Sequence, residues 1–186
     1  KIFKSRRVIN VGHGEEDRGQ FNQYQEIFGV EGAAPFFRAE ALEDVRVKGA
    51  LIDHDYFWYG DDLDLAWRMR MFGWKEVFDP NVIAWHDRQT TKTLKKSFAD
   101  FVRIRRGISI KKRGLDWRNT RWTIIKNDYI INILKDFPSI AKRELALIGY
   151  IILFEPAVLL EIPKFITMLP KMFAGRREIM RRATVK

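Results

Sequence analysis

The clearest periodicity in this chain begins at Asp61. Leu65, Met69 and Phe72 recur at i, i+4 and i+7, which predicts an amphipathic helix, and Gly73 supplies its stop. Upstream, Ile27–Arg38 reads as a strand broken by the small residues Gly32, Ala33 and Ala34. Such a break lets a ligand or another backbone come close. Ala39–Val45 predicts a short helix with Leu42 and Val45 as its apolar pair. Trp74–Phe78 and Val82–Trp85 predict short strands around the turn Asp79-Pro80-Asn81. Residues 10–25 are a polar, glycine-punctuated loop, and their Gly-His-Gly triplet is too short for a phosphate-binding fingerprint. Asp53–Tyr59 is an aromatic connection whose rings suit core packing. Trp58 and Tyr59, next to the acidic residues at 61–64, are the two expected in a pocket.

The second half reads differently. Residues 92–144 predict basic helices with interspersed Phe, Ile and Trp. Leu145–Phe154 is then a run of ten uncharged residues, about half of the ~20 that cross a bilayer as a helix. Pro156, Pro163 and Pro170 break up the remainder of the chain. The expected organisation is three segments: 1–91 as a mixed α/β unit, 92–144 as a basic helical extension, and 145–186 as an amphipathic tail.

An apolar fraction of 46% across 186 residues allows a real core. The absence of cysteine excludes disulfides, thiolate nucleophiles and cysteine-ligated zinc. Lys1–Arg7 leads into no long apolar run, so no signal peptide is visible, and without an initiator Met the chain reads as a fragment or processed product. Charge is the more telling quantity. Residues 1–88 hold 12 Lys/Arg against 16 Asp/Glu, and residues 89–186 hold 22 against 8. A second half this basic points to an acidic partner, either nucleic acid or an anionic membrane. No helix-turn-helix, zinc or RNA-binding signature accompanies the charge, so nucleic acid ranks last. Apolar Leu145–Phe154, with Arg176, Arg177, Arg181 and Arg182 beyond it, suits a helix lying in the membrane interface; packing onto the core or a partner is the competing reading.

Candidate chemistry gathers at the helix start, where Asp61, Asp62 and Asp64 crowd into four positions. In the plain reading Asp61 caps the helix and Asp64 pairs with Arg68 one turn on. That leaves Asp62 unassigned, in a position suited to general-base work on a hydroxyl. His86, at the end of the second expected strand, is a candidate metal ligand.

These residues fall into a recognisable order. Gly32-Ala33-Ala34-Pro35-Phe36-Phe37-Arg38, Ala41-Leu42-Glu43 and Asp53-His54-Asp55-Tyr56-Phe57-Trp58-Tyr59 come first. Asp61-Asp62-Leu63-Asp64-Leu65-Ala66-Trp67-Arg68, Gly73-Trp74-Lys75, Pro80 and Trp85-His86 come after them. Together they resemble the acceptor-side half of a family 2 glycosyltransferase of the bacterial rhamnosyltransferase-like kind. The resemblance implies an incomplete GT-A domain, an α/β sandwich binding a nucleotide-sugar, followed by the basic helical region. It assigns the catalytic base to Asp62 and shaping of the acceptor site to Asp61, shorter here than the usual Glu. Gly32, Ala33, Ala34, Trp58, Tyr59 and Arg68 fall at acceptor-binding positions, and His86 would help hold Mg²⁺ or Mn²⁺. Arg118-Asn119 and the Arg-rich tail are similar, more loosely, to the C-terminal parts of such enzymes. Family members carry an Asp-x-Asp motif in a preceding donor-binding half, and no Asp-x-Asp precedes Gly32. By that comparison about a hundred residues are missing and the chain alone would be inactive. The implied partners are a nucleotide-sugar donor, a saccharide or polyprenyl-linked acceptor and the inner face of the cytoplasmic membrane. The alternative is a non-catalytic module that binds a membrane surface through its basic half.

Overall fold

A computed structural model describes residues 1–85 and 97–184. The described residues are mostly helical, 57%, with one two-stranded sheet among them, so the expected α/β class holds only as a mixed, helix-dominated arrangement. Strand β1 (Gln25–Ile27) pairs antiparallel with β2 (Glu76–Phe78), in register Gln25 with Phe78 and Ile27 with Glu76. Helices α1 (Ala39–Asp44), α2 (Asp61–Met71), α3 (Phe98–Arg106), α4 (Ile110–Asn127), α5 (Ile130–Phe154), α6 (Ile162–Thr167) and α7 (Leu169–Arg182) make up most of the rest. A 3-10 turn covers His54–Tyr56, and a 3-10 segment Pro156–Glu161 joins α5 to α6.

Helix α2 forms where the spacing predicts it. Leu65, Met69 and Phe72 are buried with Ala41 and Val45, and Gly73 follows at φ 91°, a left-handed position that stops the helix. Two expected strands do not form. Beyond Ile27 the Val30 N–H goes to the Glu76 carboxylate at 2.8 Å rather than to a neighbouring strand, and Pro35 has no N–H to give. Val82–Trp85 has no sheet neighbour, and Val82, Ile83 and Trp85 lie exposed. The close approach expected at Gly32-Ala33-Ala34 is tightest slightly earlier: a Cβ on Gly29 would lie 2.4 Å from the Ala66 Cβ on α2.

Helix α4 packs against α2, α7 and the 3-10 segment. Its buried face runs Leu115, Arg118, Asn119, Trp122, Thr123, Lys126, a helical spacing filled mostly with polar groups. Ser109 caps it by accepting the Lys112 N–H. The tail then returns to the start of the fold. Ile179 of α7 joins the Leu65–Met69 core, and Met172 joins a second cluster with Tyr56 and Trp122. The boundary expected between 144 and 145 lies inside α5, which runs on to Phe154.

Glu76 is 8% exposed, with Oε2 on Val30 and Oε1 without a partner. Burial pushes its carboxyl above the ordinary value, against the lowering influence of the Val30 N–H and Arg70. A raised folded pKa favours the fold while the group is protonated, and that contribution disappears as pH rises through it. Glu76→Gln should therefore stabilise the protein at neutral pH and lose its advantage near about pH 4, as measured by urea denaturation at both values. Gly29→Ala should destabilise by about 1–3 kcal/mol. The Gly29→Ala/Ala66→Gly double variant should be no less stable than Ala66→Gly alone.

Candidate functional site

The three clustered carboxylates meet three different environments. Asp64 is 2% exposed and fully engaged. Its Oδ2 accepts from Arg68 Nε at 3.1 Å and Lys126 Nζ at 3.2 Å; its Oδ1 accepts from Asn127 Nδ2 at 2.8 Å and the Tyr56 hydroxyl at 3.4 Å. Arg68, also 2% exposed, gives its remaining donors to the carbonyls of Val45 and Leu51. The expected Asp64–Arg68 pair thus exists, but it is an internal tie. Arg68 also lines, with Asp64, the cavity of about 300 Å³ described below.

Asp61 is the first helical residue. The cap position belongs to Gly60 at φ 83°, with no side-chain cap, so Asp61 does not cap the helix as the plain reading had it. Asp62 is half-buried. Its Oδ1 accepts from the Leu63 N–H at 2.7 Å and its Oδ2 from the Gly32 N–H at 3.3 Å; no ion pair reaches it among the described residues. A Cβ on Gly32 would sit 3.3 Å from the Asp62 Cβ. Gly32 therefore lies against this carboxylate, while Ala33 and Ala34 stay exposed in the adjoining turn.

The aromatic connection is held in an unusual shape. Phe57 and Tyr59 have φ of 61° and 69°, conformations that cost a non-glycine residue about 1–3 kcal/mol each. One buried side chain holds them. Asn119 Nδ2 donates to the carbonyls of Tyr56 and Trp58 at 2.9 Å and of Tyr59 at 2.7 Å. From below, the Tyr56 hydroxyl shares a hydrogen with Thr123 Oγ1 at 3.0 Å, and burial pushes its pKa well above the ordinary value, with the Asp64 charge adding to the shift. The result is an aromatic shelf. Trp58 and Tyr59 stand with ring centroids 4.8 Å apart, and Trp58 is about half exposed. Lys112 Nζ sits 4.3 Å from the Tyr59 centroid and 5.4 Å from that of Trp58, and Lys111 Nζ lies 4.6 Å over Phe57. The Lys112 ammonium is buried without a hydrogen-bond acceptor, and burial lowers its pKa.

Two cavities are defined among the described residues. One of about 300 Å³ opens beside Asp53, His54, Lys126 and Lys171, and one of about 210 Å³ beside Phe37, Trp74 and Glu76. Asp61, Asp62, Trp58 and Tyr59 belong to neither. In the first, burial works to raise the Asp53 carboxyl. The charge and hydrogen bond of Lys126, 2.9 Å away, together with the Asp55 N–H, bring it below its ordinary value instead. His86 lies outside the described residues, and among those described no three His, Asp or Glu side chains converge on a metal position.

Lys112, Lys126 and Asn127 are the residues that sequence reasoning missed, and Asn119 was singled out only by the resemblance. Their one signal is the i, i+3, i+4, i+7 spacing of polar side chains along α4, which a search for apolar periodicity passes over.

Asp64→Ala should cost about 3–5 kcal/mol, because it leaves buried cations short of their counter-charge. Asp62→Asn should change stability by no more than about 0.5 kcal/mol. Paired chemical denaturation curves read that contrast directly. Comparison with known proteins gives no match to a family model, a curated protein or a solved structure, so what the chain does must be read from its own side chains.

Proposed function

We propose that this chain is the acceptor-side half of an inverting glycosyltransferase of the GT-A kind, with Asp62 as its general base. One observation carries the reading. Of the two carboxylates here whose hydrogen-bond partners are defined, Asp64 is consumed by the fold, whereas Asp62 is half-buried, free of any cation among the described residues and only three positions along the chain from Tyr59 of the aromatic shelf. Its two backbone N–H contacts fix the carboxylate while leaving acceptor capacity for a hydroxyl. Sugars stack their C–H faces on rings such as Trp58 and Tyr59, so the shelf would orient a saccharide whose hydroxyl meets Asp62.

The step is a displacement. The acceptor oxygen forms a bond to the anomeric carbon of a nucleotide-sugar, and Asp62 takes its proton as the bond forms. The bond from that carbon to the diphosphate breaks, and the electron pair leaves with the nucleoside diphosphate. Inversion results from attack opposite the leaving group. A lipid-linked saccharide presented at the inner face of the membrane is the acceptor class that best suits the basic second half. Asp61, one position earlier, would shape the acceptor site without taking the proton.

The test is transfer itself, measured with the donor-binding half in place. Asp62→Asn should lower turnover by about 10²–10⁴-fold while donor affinity stays within twofold of the unsubstituted protein. Turnover that survives the substitution removes Asp62 from the mechanism.

A further inference from the structure

Helix α5 is the least embedded long element among the described residues. Of its 25 residues only Ile151 is buried. At about 100° per residue, Ile130, Leu134, Phe137, Leu145, Ile148 and Ile152 fall on one side, and each is 43–71% exposed. Ala141 completes the row, and Ile131 and Gly149 widen it to an apolar arc of roughly 120°. The half-buried Ile133, Ile140 and Leu147 lie with Ile151 on the side toward the protein. The outward row extends about 33 Å at 1.5 Å per residue and contains no charged side chain.

We infer that this outward face of α5, from Ile130 to Ile152, lies parallel to the plane of an anionic bilayer and sinks its apolar row into the headgroup–acyl boundary. Charge at the rim selects this occupant. Lys135 and Lys142 stand exposed along one edge, with no ion-pair partner among the described residues. Along the other edge Glu144 is neutralised by Arg121 and by Arg143. An apolar row with a positive rim fits anionic lipid. The docking surface thus begins fifteen residues before the uncharged run Leu145–Phe154.

Spanning geometries fit less well. Among the described residues no single helix is long and apolar enough to cross a membrane, and α5 together with 156–167, bent by 115°, matches a broken span by length and composition. A span there can hold few charges, so it would begin beyond Arg143 and leave Ile130, Leu134 and Phe137 outside the hydrocarbon. Lying flat buries the whole row and leaves Lys135 and Lys142 in water. Docking of this kind needs neither donor nor acceptor, so it stands apart from the transferase reading.

The experiment is flotation with vesicles of phosphatidylcholine alone and of phosphatidylcholine mixed with phosphatidylglycerol. The protein should float with the anionic vesicles only. Lys135→Glu/Lys142→Glu should weaken binding by about tenfold or more, and Leu134→Glu/Leu145→Glu should abolish it. Gln23→Glu, exposed and outside α5, should leave it within threefold. These positions are exposed, and circular dichroism of each variant checks that it folds. Because the chain lacks cysteine, single cysteines at 134, 145 and 152 can carry an environment-sensitive dye, and all three should report the same shallow depth. Depth that increases steadily from 134 to 152 overturns the in-plane arrangement. A protein that stays out of both vesicle fractions, or a dimer in light scattering that the Leu134→Glu/Leu145→Glu variant disperses, overturns the lipid partner.

Discussion

The fold depends on a carboxylate that must not be left alone. Asp64 sits where α2, α4 and the 54–56 turn meet, and it receives hydrogen bonds from all three. Taking an anion out of water costs several kcal/mol, and only a full set of donors offsets it. Arg68 and Lys126 provide charge, while Asn127 and Tyr56 provide direction. All four donors are also tied elsewhere: Arg68 to the carbonyls of Val45 and Leu51, Lys126 to Asp53, Tyr56 to Thr123, and Asn127 to the Thr123 carbonyl. The register of α2 against α4 is therefore set by polar chemistry as much as by the Leu65–Met69 core.

That constraint also places the candidate site. Asp62 lies two residues from the anchored Asp64, at the helix end whose free N–H groups favour anions. Its presentation is fixed by a neighbour whose own oxygens are engaged inside the fold. The same holds for the aromatic shelf, whose left-handed turn residues are held by the Asn119 amide on α4. Strain of this kind persists only where surrounding structure over-determines it. Here a single side chain with three carbonyl contacts does so, and Lys112 closes the shelf from behind.

Sequence reading succeeded where apolar periodicity and burial coincide. Leu65, Met69 and Phe72 marked α2, Gly73 marked its end, and the Asp64–Arg68 pair was evident from spacing alone. It failed where a segment's hydrogen bonds go to unexpected places. Val30 gives its N–H to Glu76, and Val82–Trp85 has no strand to join, so apolar runs that look like strands stay irregular. The inner face of α4 was hidden because its buried members are Arg118, Asn119, Thr123 and Lys126, residues whose burial becomes tolerable only once their partners on other elements are in place. Arg68 looked available to a ligand for the same reason. Nothing in its neighbours along the chain reveals that Val45 and Leu51 claim its donors.

The return of α7 has a consequence for biogenesis. Thr184 donates to the Met71 carbonyl across 113 positions, and Ile179 and Met172 each complete a separate apolar cluster. Contacts so distant in sequence form late and slowly. During synthesis the inner faces of the early helices stay open until α7 has emerged from the exit tunnel, and a chain cut before Met172 would leave both clusters unclosed.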